Sequence, residues 1–122
     1  MLRTPLIAAG LALVASHALA QGDADKGQAL FAAQCGFCHS TEAGKHLMGP
    51  SLRAVYGRSS AHAQGFAYSA ALKGAGLTWD DATLEKWLTG PAALVPGTQM
   101  MYPGQPDSQA RQDLIAYLKG LK

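Results

Sequence analysis

The chain holds only two cysteines, Cys35 and Cys38, with no second cysteine pair and no paired histidines elsewhere. A structural zinc site takes about four ligands, and the sequence does not offer them around those two thiols. No strand-like run precedes the pair, so the βαβ setting of a thioredoxin-like motif is missing as well. Long apolar runs are also absent. The one sustained run, residues 6–15, is ten residues long, against the roughly 20 that a membrane-spanning helix needs. Charge of one sign is not in excess, since ten Lys and Arg face eight Asp and Glu, and this is no nucleic-acid footprint. Lysine is missing altogether between Lys86 and Lys119.

What surrounds the two cysteines is informative. Cys35, Gly36, Phe37, Cys38 and His39 are consecutive, and a CxxC pair followed at once by histidine is the attachment motif for c-type haem. Each thiol adds across a haem vinyl group to give a thioether, and His39 is then held close enough to bind the iron axially. On this reading the cysteines are anchors and not a redox pair.

Ahead of the motif, Arg3, the short apolar run and Ala18, Leu19 and Ala20 have the parts of a secretory signal peptide. Cleavage after Ala20 is expected, with residues 1–20 removed and residues 21–122 left as one domain of 102 residues. Nothing in the remainder could span a bilayer. A domain of this size buries a modest core, and the haem would supply the apolar surface on which short helices pack. Loss of Arg3 leaves nine basic against eight acidic residues, a balance that two ionised propionates would make slightly negative.

The spacing of Ala24, Gly27, Leu30 and Phe31 predicts an amphipathic helix over residues 23–34, with Asp23 and Asp25 at its start. Glycine inside a helix costs about 1 kcal/mol relative to alanine, so Gly27 suggests close approach by another helix. Residues 40–64 have little periodicity and read as a loop wrapped on the cofactor, with Met48, Leu52, Val55 and Tyr56 as core. A helical turn is expected near residues 69–73. Thr78 and Asp81 then have a capping-box form ahead of Leu84, Trp87 and Leu88, and Gly90 and Pro91 stop that helix. Residues 91–106, with four prolines, read as irregular. Asp107 or Ser108 caps a last helix that places Arg111, Leu114, Ile115 and Leu118 on one face, with Tyr117 beside it. The fold class is therefore all-α, with irregular loops.

The second axial position decides the function. Met48, Met100, Met101, His46 and His62 are candidates. Pro96, Gly97, Thr98, Gln99 and Met100 form a proline and glycine loop that can bring a sulfur to the iron from the face opposite His39.

With these pieces in place the chain resembles class I cytochrome c, the mitochondrial and bacterial cytochrome c2 type. The resemblance rests on Gly27 and Phe31, residues 35–39, Gly49 and Pro50, residues 56–58, 65–68 and 77–79, residues 96–100, and residues 113–119. It implies the cytochrome c fold, one covalent haem c, His39 and Met100 as iron ligands, and Gly27 packed near Tyr117. It further implies that the Pro50 carbonyl fixes the His39 ring. Tyr68 and Trp79 would bond a buried propionate, and Arg58 would lower the cost of that charge. The family's lysine ring at the haem edge is replaced by Gln34, Leu47, Ala92, Ala93 and Gln99, while Trp87 and Tyr102 stand where tyrosine and phenylalanine are usual.

The implied function is that of a soluble, monomeric, periplasmic one-electron carrier and not an enzyme. Sulfur ligation and burial of the ring both favour the reduced iron. Its redox partners would be proteins such as a cytochrome bc1-type complex, a terminal oxidase, a photosynthetic reaction centre, a denitrification enzyme or another periplasmic reductase or dehydrogenase. Two rival classes make different demands. A haem sensor or peroxidase-like enzyme needs an open axial site, and thiol-disulfide exchange needs free thiols at Cys35 and Cys38.

Overall fold

Asp23 starts the first helix because its carboxylate accepts from the backbone N–H groups of Asp25 and Lys26, two of the donors a helix start leaves unpaired. The helix, α1 (Ala24–Gln34), ends at Cys35, whose N–H returns to the Phe31 carbonyl. In the computed structural model residues 21–122 are described, together with Met1, Gly10 and Ala12. The signal peptide expected over residues 1–20 otherwise lies outside the described residues.

Four more helices follow: α2 (Ala70–Lys73), α3 (Asp81–Thr89), α4 (Pro91–Leu94) and α5 (Ser108–Lys119). Among the described residues the one β pairing is an isolated bridge between Ser59 and Thr78, so the all-α expectation holds. No described helix is long and apolar enough to cross a membrane.

Helices α1 and α5, from opposite ends of the sequence, pack directly on each other. At the crossing Gly27 is buried, and a Cβ there would run into the Asp113 carbonyl and lie 2.8 Å from the Tyr117 Cβ. The expected close approach at Gly27 is therefore present. One turn on, the Phe31 and Tyr117 rings meet at 5.3 Å between centroids. The core continues through Leu84, Trp87 and Leu88 of α3 and Leu114, Ile115 and Leu118 of α5.

Three local expectations are corrected. The cap of α3 is Asp80, which accepts from the Thr83 N–H, and not Thr78, whose backbone pairs across the bridge with Ser59. Residues 91–106 are not irregular throughout, because Pro91 sits at the first position of α4, where its missing N–H has no helical acceptor to lose. Met48 is not core but 72% exposed. Arg111 is largely buried against α3, where its guanidinium pairs with Glu85 and ties α5 to that helix.

Asp113 is the buried polar residue of α5. Its carboxylate accepts from the Asp23 N–H at 2.8 Å and from the Gln109 side chain at 3.1 Å. These bonds lower its pKa, with the Asp23 N–H the main cause and the Gln109 side chain next.

Candidate functional site

The helices leave between them a cavity of about 430 Å³. Phe31 from α1, Leu84, Trp87 and Leu88 from α3, and Leu114 and Leu118 from α5 form its floor and walls. The buried core is thus arranged around a space and does not fill it.

Both sulfurs line that space because the chain turns sharply after α1. The N–H groups of Cys38 and His39 both return to the Cys35 carbonyl, at 3.1 and 2.9 Å. Burial, and next the neighbouring Cys38 thiol, push the Cys35 thiol up to about 11. A thiolate is what attacks in thiol-disulfide exchange, so this environment disfavours that chemistry.

His39 is fixed by the loop that follows. Its Nδ1 lies 2.7 Å from the Pro50 carbonyl oxygen, and a carbonyl can only accept, so Nδ1 carries the proton and Nε2 presents a free lone pair. The Gly49 N–H donates to the Cys38 carbonyl at 2.8 Å. That brings the Gly49 backbone flat against the imidazole, and a Cβ there would lie 2.7 Å from Nδ1. Burial lowers the His39 pKa and keeps the ring neutral, outweighing the opposing bond to Pro50. A neutral, oriented imidazole with one bare nitrogen is what iron ligation requires.

The other candidates separate by position. Met100 lines the cavity and packs on the core, with its N–H bonded to Thr98 Oγ1 at 3.3 Å. Met101 is 92% exposed. The Met48 sulfur sits at the mouth, 3.9 Å from the Cys38 sulfur. Neither nitrogen of His46 is available: the Ser51 N–H donates to Nδ1, and Nε2–H donates to the Gln64 carbonyl. His62 lines the wall with Nδ1 bonded to the Ser59 carbonyl.

Tyr68 and Trp79 both face the cavity. The Tyr68 hydroxyl accepts from the Ala63 N–H at 3.0 Å, which leaves its own proton to give. Arg58 does not line this cavity but opens on a neighbouring polar pocket. Sequence reasoning missed the packing around Gln34, which accepts from the Tyr102 hydroxyl and the Gln105 amide and so ties the end of α1 to the loop after Met100.

The family profile described as Cytochrome c matches residues 24–122. The chain belongs to the cytochrome c family. It is 46% identical to cytochrome c of Euglena viridis over 101 residues, which is 83% of this chain and 99% of that one. It is also 46% identical to cytochrome c2 of Rhodoblastus acidophilus, over 83% of this chain and 94% of that one. Among solved structures it is similar to cytochrome cH from Methylobacterium extorquens, with a TM-score of 0.75, 46% identity, and coverage of 80% of this chain and 98% of that chain.

Cytochromes c bind one covalent haem c through two cysteines, and Cys35 and Cys38 are the two that this chain has. The cavity fits that group, being apolar-walled, open at one rim, edged by both thiols and backed by an oriented imidazole. The chain is accordingly a haem electron carrier, an electron-transfer protein and not an enzyme.

Proposed function

We propose that this cytochrome c is exported to the bacterial periplasm after removal of residues 1–20. There, as a soluble monomer, it carries single electrons between redox proteins such as a cytochrome bc1-type complex, an oxidase, a reaction centre or a periplasmic reductase. Haem iron supplies the one-electron exchange between its ferrous and ferric states. The protein's part is to hold that iron's surroundings constant. Cys35 and Cys38 anchor the ring, His39 gives Nε2, and Met100 gives its sulfur. Tyr68 and Trp79 serve a buried propionate.

The observation that carries this reading is the 2.7 Å contact between His39 Nδ1 and the Pro50 carbonyl. It leaves one donor nitrogen of fixed tautomer on a rigid loop, at a cavity that also receives Met100. A ring held in this way moves little when charge changes. The raised thiol tells against thiol-disulfide exchange, and Met100 at the cavity favours a filled second axial position over an open one.

Expression of the full chain in a bacterium that attaches haem should yield periplasmic protein whose denatured mass includes haem and whose pyridine haemochrome spectrum is that of a c-type cytochrome. Met100→Ala should abolish the methionine-to-iron charge-transfer band and lower the potential with the haem still attached, while Met101→Ala should do neither. Loss of that band in the Met101 variant would reassign the ligand. A haem-free, folded periplasmic protein would end the proposal.

A further inference from the structure

The loop that carries Met100 is tethered unevenly. On the side before Met100, the Val95 N–H donates to the Pro91 carbonyl at 2.9 Å, the Thr98 N–H to the Val95 carbonyl at 3.1 Å, and the Met100 N–H to the Thr98 hydroxyl oxygen. The chain is fixed again at its far end. Gly104, at φ 110°, lies so close to the Thr89 carbonyl that a Cβ would collide with it, and the Gln105 N–H donates to the Leu88 carbonyl at 2.7 Å. Between these anchors, among the described residues, the backbone of residues 101–104 pairs with no other backbone group. The tie that this stretch does have is a side chain: the Tyr102 hydroxyl lies 2.8 Å from Gln34 Oε1.

The direction of that bond follows from its neighbours. The Asp107 N–H can only donate, and its acceptor at 3.0 Å is Gln105 Oε1. The Gln105 amide nitrogen therefore faces Gln34 at 3.2 Å, and Gln34 must meet it with its oxygen. That oxygen cannot donate, so the Tyr102 hydroxyl does. Gln105 is itself held, because its carbonyl accepts from Arg111 at 2.8 Å and Arg111 is paired with Glu85. Gln34 is the last residue of α1 and directly precedes Cys35.

We infer that Gln34 and Tyr102 form a latch that positions Met100, tying the loop two residues beyond the sulfur to the end of α1 that leads into the haem anchor. This rests on the reading of Met100 as the second axial ligand. For the sulfur to swing away, residues 101–104 must move with it. Their backbone has no partner to hold it, so the Tyr102 bond is what opposes that movement. Both side chains of the latch line the same cavity as Met100. Gln34 and Tyr102 are thus positioning residues, acting on the iron only through the methionine.

The test is a titration of the ferric holoprotein with imidazole at neutral pH, followed by loss of the methionine-to-iron charge-transfer band, with denaturant unfolding measured alongside. Tyr102→Phe should keep its haem and the band, and should bind imidazole about three- to tenfold more tightly than the wild type, the size of one lost hydrogen bond. Gln34→Leu should do the same. Adding Tyr102→Phe to Gln34→Leu should change little further, because the two partners act as one unit. Gln34→Glu keeps an acceptor for both neighbours and should bind imidazole nearly as the wild type does. A Tyr102→Phe protein that unfolds more easily but binds imidazole with wild-type affinity would show a merely structural bond and overturn the latch. Additive effects in the double variant would overturn it too. A wild-type holoprotein without the charge-transfer band would defeat the reading of Met100 as ligand, whereas a band present with unchanged affinities defeats the latch alone.

Discussion

Asp113 shows how one side chain can join the two ends of a molecule. It lies on the last helix, yet its strongest partner is the N–H of Asp23, the residue that caps the first. The charge therefore sits at the positive end of the α1 dipole as well as in a hydrogen bond. A carboxylate whose folded pKa is depressed stabilises the fold above its ordinary value of about 4, and the contribution is lost as pH falls through the depressed value. Asp113→Asn should therefore be less stable than the wild type at neutral pH, and the difference should shrink as the solution is acidified from the ordinary carboxylate range through the depressed value. Denaturant titrations across that range would check the sign, and a gap that widened in acid would contradict it. None of this was legible in the sequence, because Asp113 and Asp23 are 90 positions apart and helical spacing alone places an aspartate anywhere. The contact that orients the His39 ring was legible, because the family likeness pointed to the Pro50 carbonyl.

At the scale of elements, the close crossing of α1 and α5 leaves no room for a side chain at Gly27. Gly27→Ala improves helix propensity by about 1 kcal/mol, but its methyl would collide with the backbone at Asp113, and overpacking typically costs about 1–3 kcal/mol. The collision is with backbone and cannot be relieved by a rotamer, so the cost falls toward the upper end of that range and a net loss of up to about 2 kcal/mol is expected. Thermal unfolding of the holoprotein would show it. A second prediction concerns residues 95–106, the loop that carries Met100. Methionine can be displaced in alkali by a deprotonated lysine within reach, lysine having a reference pKa of about 10.4. No lysine lies between Lys86 and Lys119, and Lys73 and Lys86 are both exposed and tethered on α2 and α3. Met100 ligation should persist to higher pH than a lysine-bearing loop allows, with no lysine-ligated ferric form in the magnetic resonance spectrum. The elements themselves were largely readable. Helices α1 and α5 announced their starts through Asp23 and Asp107 and their buried faces through spacing. The start of α3 misled because Thr78 fits the capping pattern two residues early, while a pairing to distant Ser59 takes it out of use. The helical turn α4 was hidden because proline counts against a helix everywhere except at its first turn.

For the whole molecule, the rim of the haem cavity sets how it meets other proteins. Phe37, Leu47, Met48 and Met101 are 85%, 44%, 72% and 92% exposed. Met48 and Met101 stand at the cavity mouth. Gln34, Ala92, Ala93 and Gln99 are exposed too and carry no charge. Steering by long-range charge is therefore weak, and affinity must come from apolar area removed from water. The association rate with the natural partner should change less than about threefold between ~0.05 and ~0.5 M salt. Stopped-flow measurement over that range would decide, and a steep fall with salt would place the docking face elsewhere.

The pairing of first helix with last also sets an order in time. A chain is synthesised from its first residue to its last, so the segment bearing Cys35, Cys38 and His39 exists long before Leu114 and Leu118 complete the wall behind it. Joining the two ends also closes a loop of most of the chain, and that cost rises with the logarithm of its length. Without α5 the cavity beside the two thiols lacks the side that Leu114 and Leu118 supply. In the native topology the docking of α5 is thus what closes the wall behind the attachment point.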